Sequence, residues 1–171
     1  MSFKEISPFD INDNVFRALD KDWMLICAPD KTKECGANAM TASWGGLGFL
    51  WYKPVATLYV RPQRYTFSLT EESDKYSLCF FDEAYRDALK ICGTKSGRDM
   101  DKISACNMTV SSELDTPIIN EARLVLICRK LYADDIKEAC FTDTAVKEKA
   151  YPKSDFHRFY ICEIEKVLIK E

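Results

Sequence analysis

Arg61 and Arg64 stand just before Tyr65-Thr66, where an apolar, strand-like run gives way to what reads as a helix. A threonine at position 66 suits the N-cap of that helix, whose first backbone N–H groups are then free to meet an anion. Arginine adds a planar fork of donors that matches phosphate. Upstream, Ala39-Met40-Thr41-Ala42-Ser43 alternates, so the hydroxyls of Thr41 and Ser43 share one strand face. If the two strands are neighbours, those hydroxyls reach the same ligand. Gly45, Gly46 and Gly48 follow, flanked by Trp44 and Trp51. Singly, these residues read as a surface arginine pair, a capping threonine and a polar strand. Together they point to a flat aromatic ligand that carries a phosphate.

A second basic stretch runs from Gly93 to Asp99, with Lys95, Ser96 and Arg98 inside it. Its glycine spacing is one residue short of an ATP-binding loop, and Arg98 stands where such a loop needs lysine. As a flexible loop feeding a helix capped near Asp99, it suits the polar edge of a ligand. A solvated basic turn fits the spacing equally well. Gly46-x-Gly48 lacks a third glycine and opens no βαβ unit, which argues against a dinucleotide-binding domain. His157, the only histidine, precedes an alternating strand, where a hydrogen-bonded strand-edge residue is the ordinary reading. No Ser/His/Asp or Cys/His nucleophile set can be assembled.

The eight cysteines include no Cys-x-x-Cys pair, and with a single histidine there is no ligand spacing for zinc or an iron–sulfur cluster. Cys27, Cys79, Cys128 and Cys162 lie in apolar runs, where free cysteine behaves as a small buried hydrophobe. The expectation is reduced thiols in a cytoplasmic compartment. A net charge of −3 gives no pull toward nucleic acid or an anionic membrane. No apolar run approaches the roughly 18 residues of a membrane span, and the polar N-terminus shows no signal peptide.

These residues need a scaffold. With 171 residues, 47% of them hydrophobic, the chain suits one domain, 1–171, with 1–20 as a peripheral segment holding a short amphipathic helix. Strands are expected over 23–28, 37–43, 55–60, 76–81, 122–131 and 159–169. Short helices are expected over 66–74, 83–92, near 105 and over 144–148. The segment 107–120 reads as irregular because of Pro117. Scattered strands with short intervening helices favour an antiparallel α+β barrel over a doubly wound sheet.

At the level of whole motifs, NAMTASWGG (38–46) followed by KPVATLYVRPQRYT (53–66) resembles the flavin reductase-like family of FMN-binding split barrels, especially its flavoredoxin-like branch. SLCFFDEAYRDALKICGTKSGRDMDK (77–102), EARLVLICRKLYADDI (121–136) and DFHRFYICEIEKVLIK (155–170) agree with it, in order. The resemblance implies a mainly antiparallel α+β split β-barrel with short peripheral helices, FMN as cofactor and a homodimer with FMN in a groove at its interface. It puts Asn38, Ala39, Met40, Thr41, Ser43 and Trp44 along one side of the cofactor. Arg61, Pro62, Gln63, Arg64, Tyr65 and Thr66 fall at the phosphate end. Cys92, Gly93, Lys95, Ser96, Gly97 and Arg98 approach the ring or the ribityl chain. His157 becomes a possible accessory residue, although Ser154-Asp155-Phe156-His157 stands where family reductases often read Gly-Asp-His.

Two functions follow from the resemblance. One is an oxidoreductase passing reducing equivalents through bound FMN, with NAD(P)H as donor. The other is a flavoredoxin-type electron carrier reduced by a ferredoxin-like protein, without direct NAD(P)H oxidation. A binding module without turnover is the third.

Overall fold

In the structure, a computed structural model describing residues 2–171, the central strands are apolar along both faces because both faces are covered. In β2 (Met24–Pro29), Met24, Ile26 and Ala28 join one core cluster. Leu25 and Cys27 join another. Strands β6 (Lys75–Phe80) and β9 (Leu124–Asp135) divide in the same way: Tyr76, Leu78, Leu124 and Leu126 face the first cluster, Cys79, Val125 and Ile127 the second. Burying a leucine or isoleucine completely contributes about 1.5–3 kcal/mol, so these double-sided strands anchor the fold.

Among the described residues the main sheet has eight strands, all paired antiparallel. Its path runs from β3 (Ala37–Ala42) through β2, β6, β9, β10 (Arg158–Lys170) and β5 (Lys53–Val60) to β4 (Gly45–Leu50). Strand β1 (Phe3–Ile6) adds to β10. The two ends of the path, β3 and β4, are separated in the chain by Ser43 and Trp44 alone. Two residues span only about 7 Å, so the sheet has to curl until its edges meet. No backbone pairing joins β3 to β4, and the barrel is split there. Register shifts at Ile161/Cys162 and Ile164/Lys166 bend the long β9–β10 ladder into that curve.

The second core cluster is roofed by α3 (Arg86–Thr94), α4 (Lys102–Ala105) and the hairpin β7 (Val110–Glu113)–β8 (Thr116–Ile119). Helix α2 (Tyr65–Glu72) follows β5 and packs Leu69 into the first cluster. The N-terminal helical turns, α1 (Val15–Arg17) continued as a wider turn through Asp22, and α5 (Thr144–Ala150) lie outside the sheet.

Three expectations change. The glycine-rich link is a strand, β4. A Cβ at Gly45 would stand 2.7 Å from the Thr57 carbonyl oxygen, so glycine is what lets β4 pair so closely with β5. Residues 107–120 are not irregular, because Pro117 sits in a two-stranded hairpin, where a missing N–H is tolerated. Residues 1–20 are not wholly peripheral, since β1 belongs to the main sheet. The cysteines are all free thiols, with Cys27 and Cys79 in the second cluster and Cys128 and Cys162 in the first.

Candidate functional site

The seam between β3 and β4 is where the singled-out residues gather. A cavity of about 210 Å³ opens beside Ser43 and Trp44, with Met40 and Thr41 of β3 as its floor and Tyr59, Arg61 and His157 across from them. Arg64 and Gly93 close its far end. A second cavity, about 240 Å³, continues on the other side of Arg64. It is lined by Gln63, Tyr65 and Thr66 at the start of α2 and by the loop Lys95 to Arg98. Arg64 is common to both.

Thr66 is not the helix cap. Arg64 takes that position in extended backbone, with no side-chain hydrogen bond to the first turn. The Thr66 hydroxyl is already used, accepting from Asn38 Nδ2 at 2.9 Å. The first turn of α2 therefore keeps its N–H groups free of any side-chain acceptor, beside the second cavity.

The charge there is uncompensated. Arg64 donates to the Gly93 carbonyl at 2.8 Å and to Met40 Sδ at 3.3 Å. Burial holds its guanidinium below the usual arginine range. Lys102, at the start of α4, is 3% exposed and donates to the Cys92 carbonyl at 3.2 Å. Burial pushes its ammonium down to about 8, and the charges of Arg64 and Lys33 add repulsion. Lys33 Nζ is bound to the carbonyls of Gly97 and Met100. Among the described residues, Lys33, Arg64, Lys95, Arg98 and Lys102 have no carboxylate within 4.0 Å. Several cations held together with a helix N-terminus and no anion describe half of a binding site.

Arg61 is different. Its guanidinium is paired with Asp155, donates to the Ala150 carbonyl at 3.0 Å and stands 5.3 Å from the Tyr151 ring centre. Gln63 also donates to Asp155, at 2.8 Å. Arg61 thus fronts the first cavity as a neutralised cation, away from the second.

The loop after α3 is held by shape. A Cβ at Gly97 would fall 2.2 Å from Asn38 Oδ1 and 2.6 Å from Tyr65 Cδ1, so only glycine lets the loop sit on β3 and α2. Arg98 lies 5.2 Å from the Tyr65 ring centre. Lys95, Ser96 and Arg98 consequently line the cavity at the α2 N-terminus and not the one beside Trp44. The helix that follows is capped by Asp101, whose Oδ1 accepts from Ser104 N at 3.1 Å, and not near Asp99. Thr41 lines the first cavity, but its hydroxyl donates to the Leu89 carbonyl and so fastens α3 to β3.

His157 is buried at the first cavity, its Nδ1 2.8 Å from the Tyr151 hydroxyl and its ring 4.8 Å from that of Trp44. Burial, and then the neighbouring Arg61, lower it to about 4, against an opposing pull from Asp155. At neutral pH it is an uncharged ring. Cys92, lowered in reactivity by burial that raises its thiol to about 12, stands behind the wall.

The structure therefore collects Met40, Thr41, Ser43, Trp44, Arg61, Arg64, Gly93 and His157 in one cavity. Gln63, Tyr65, Thr66, Lys95, Ser96, Gly97 and Arg98 share the other with Arg64. Asn38, Ala39 and Cys92 are buried behind the walls, and Pro62 lies in an exposed turn. Lys102, Lys33, Tyr59, Tyr151 and Asp155 were not singled out by the sequence. Lys102 ends the motif SGRDMDK, and that adjacency was its one signal. Tyr59 lies within KPVATLYVRPQRYT and Asp155 opens DFHRFYICEIEKVLIK, whereas Lys33 and Tyr151 carry no such signal.

Solved structures share this fold. The flavoredoxin of Methanosarcina acetivorans is 24% identical with a TM-score of 0.67, over 97% of this chain and 77% of that one. The flavoredoxin of Desulfovibrio vulgaris (Miyazaki F) is 18% identical with a TM-score of 0.68, over 97% and 78%. A Shewanella frigidimarina protein described as a flavin reductase with a split barrel domain is 15% identical with a TM-score of 0.66, over 97% and 76%. No curated protein matches the chain. The model of the flavin reductase like domain matches residues 16–171, nearly the whole chain, and the chain belongs to that family.

Proposed function

We propose that the chain is an FMN-binding flavoprotein oxidoreductase, with the phosphate held at the α2 N-terminus by Arg64 and Lys102 and the ring system lying against Met40 to Trp44. The observation that carries this reading is the unpaired cation cluster at an uncapped helix start, continuous through Arg64 with a cavity walled by Trp44 and Tyr59. Bound FMN supplies the electron chemistry. The chain's own residues position it and set its surroundings. Lys95, Ser96 and Arg98 add donors on the solvent side of the phosphate cavity. His157 presents a neutral ring, fixed by Tyr151, and carries no charge at pH 7 to neutralise an anion. The Thr41 hydroxyl proton is committed to the Leu89 carbonyl, so Thr41 fastens α3 and offers the flavin no proton.

The purified chain should be yellow and release close to one FMN per chain. Arg64→Ala should weaken FMN binding by about 10- to 100-fold, the effect of one charge-assisted hydrogen bond. A chain that stays colourless in excess FMN, or that releases FAD, contradicts the site.

A second reading has specific support. Arg61 is neutralised by Asp155, and the other cation of the ring-side cavity, Arg64, is the one assigned to the FMN phosphate, which leaves none for the phosphates of NAD(P)H. That favours a flavoredoxin-type carrier fed by a ferredoxin-like donor. Anaerobic assays with NADH, NADPH and reduced ferredoxin separate the two readings. No helix of the described residues is long and apolar enough to cross a membrane. The proposed setting is one domain over 1–171, working in the cytoplasm as a homodimer that needs no disulfide. The dimer is argued from exposed Phe49 and Trp51, and its independence of disulfides from the free cysteines. Sedimentation with and without reductant tests it, and a monomer in both would contradict it.

A further inference from the structure

The largest cavity near the site is neither of the two described above. It is a chamber of about 640 Å³ that shares Ser43, Trp44 and Tyr59 with the ring-side cavity and extends away from the phosphate. It is open to solvent, with Phe16 85% exposed, and its volume lies within the range of small-molecule sites. Three walls form it: the N-terminal helical turns with Phe16, the β3–β4 seam with Trp44, and the segment around α5 with Phe141 and Tyr151. Aromatic side chains stand on every wall. Asp20 is the one charged lining residue, paired at the surface with Lys21, and among the described residues no cation lines the chamber.

We infer that this chamber binds a neutral, apolar, planar molecule of two or more fused rings and presents it to the ring-side cavity across Trp44 and Tyr59. The inference rests on the reading that the ring-side cavity holds the flavin. Charge decides the class. An anion entering the chamber leaves water and finds no cation on the walls, whereas a neutral ring system gains contact with the aromatic side chains. Ser43 and Tyr59, on the shared wall, supply two hydroxyl groups for a polar substituent. Phosphate-bearing donors are disfavoured by the same argument. Small-molecule occupancy is favoured over a protein surface because the chamber shares Ser43, Trp44 and Tyr59 with the ring-side cavity.

The test is equilibrium dialysis of the full, FMN-loaded chain against 2-naphthol and against 2-naphthoate, which has the same rings and a carboxylate. The expected result is saturable binding of one 2-naphthol per chain, with 2-naphthoate at least about tenfold weaker. Val146 lines the chamber, is exposed on α5 and touches neither flavin cavity, so Val146→Asp should fold normally. It should weaken 2-naphthol by about tenfold or more while FMN titrates as in the parent chain. Equal affinity for the two probes, no saturation, or an unaffected Val146→Asp would overturn the inference. So would binding that vanishes as chain concentration rises, which would make the chamber an interface between copies. An FMN titration on the same preparation separates the two readings. If 2-naphthol binds with the expected preference to a chain that refuses FMN, the chamber stands and the flavin reading fails. If FMN binds and 2-naphthol does not, the chamber alone is refuted.

Discussion

Replacing Lys102 with methionine is expected to stabilise the FMN-free chain and to weaken FMN binding. The two effects have one cause. Burial, with Arg64 and Lys33 nearby, moves the ammonium from 10.5 to about 8. At about 1.4 kcal/mol per pH unit, that gap amounts to about 3 kcal/mol of folding free energy lost by keeping Lys102 charged. Methionine fills similar space without the charge, but it leaves the Cys92 carbonyl without its donor, which costs about 1 kcal/mol. The net gain of about 2 kcal/mol should raise Tm by about 4–8 °C. FMN affinity should fall by about 10- to 100-fold, because a charged donor to the phosphate is gone. The sign with pH is also set. Below pH 8 folded and unfolded chains both hold the proton and the penalty is constant. Between about 8 and 10.5 only the unfolded chain holds it, so the stability of the FMN-free parent rises across that window. In Lys102→Met that rise should be absent. Thermal melts without FMN at pH 7 and pH 10, together with FMN titration, measure all three. A variant with a lower Tm and parental FMN affinity would refute the reasoning, since Lys102 would then be a structural prop.

Other substitutions probe separate links. Gly97→Ala places a Cβ 2.2 Å from Asn38 Oδ1, so the loop must lift from β3; FMN titration should show a loss of about tenfold or more, with little change in the far-ultraviolet spectrum. His157 has a folded value of about 4 against 6.5 unfolded, so between those values only the unfolded chain takes the proton. Stability should fall by up to about 1.4 kcal/mol per pH unit as pH drops from 6.5 to 4, and urea melts of His157→Gln should show a flatter profile. Trp51 and Tyr52 turn the β4–β5 hairpin with φ of 51° and 62°, and Tyr52 is 96% exposed. Tyr52→Gly should therefore raise stability by about 0.5–1 kcal/mol, because relief of the left-handed backbone outweighs the greater freedom of glycine when unfolded. An unchanged or lower urea midpoint would show that Tyr52 makes contacts offsetting that strain.

The residues themselves carried much of the site. Local patterns marked β2, β5, β6, β9 and β10, since continuous apolar runs and alternation do not depend on distant contacts. Arg64 and the start of α2 drew notice because anion-binding chemistry is sought at a helix start, although the cap is Arg64 and not Thr66, and the Gly93–Arg98 loop, expected at the ring or ribityl chain, lies beside that helix start instead. Family membership was legible too, in motifs spread along the chain in order. What the sequence left undecided were properties of pairs of residues distant in the chain. The glycine run became a strand because its partner β5 approaches too closely for any side chain at Gly45. Arg61 and Arg64 are chemically alike in sequence, yet one is neutralised by Asp155, far along the chain, and the other is left unpaired. Nothing in the sequence marks Lys102 for burial, and the meeting of α3 and α4 buries it with its ammonium on the Cys92 carbonyl. Charge compensation and burial depend on which segments meet in space, and here they meet because Ser43 and Trp44 bring the two edges of one curled sheet together.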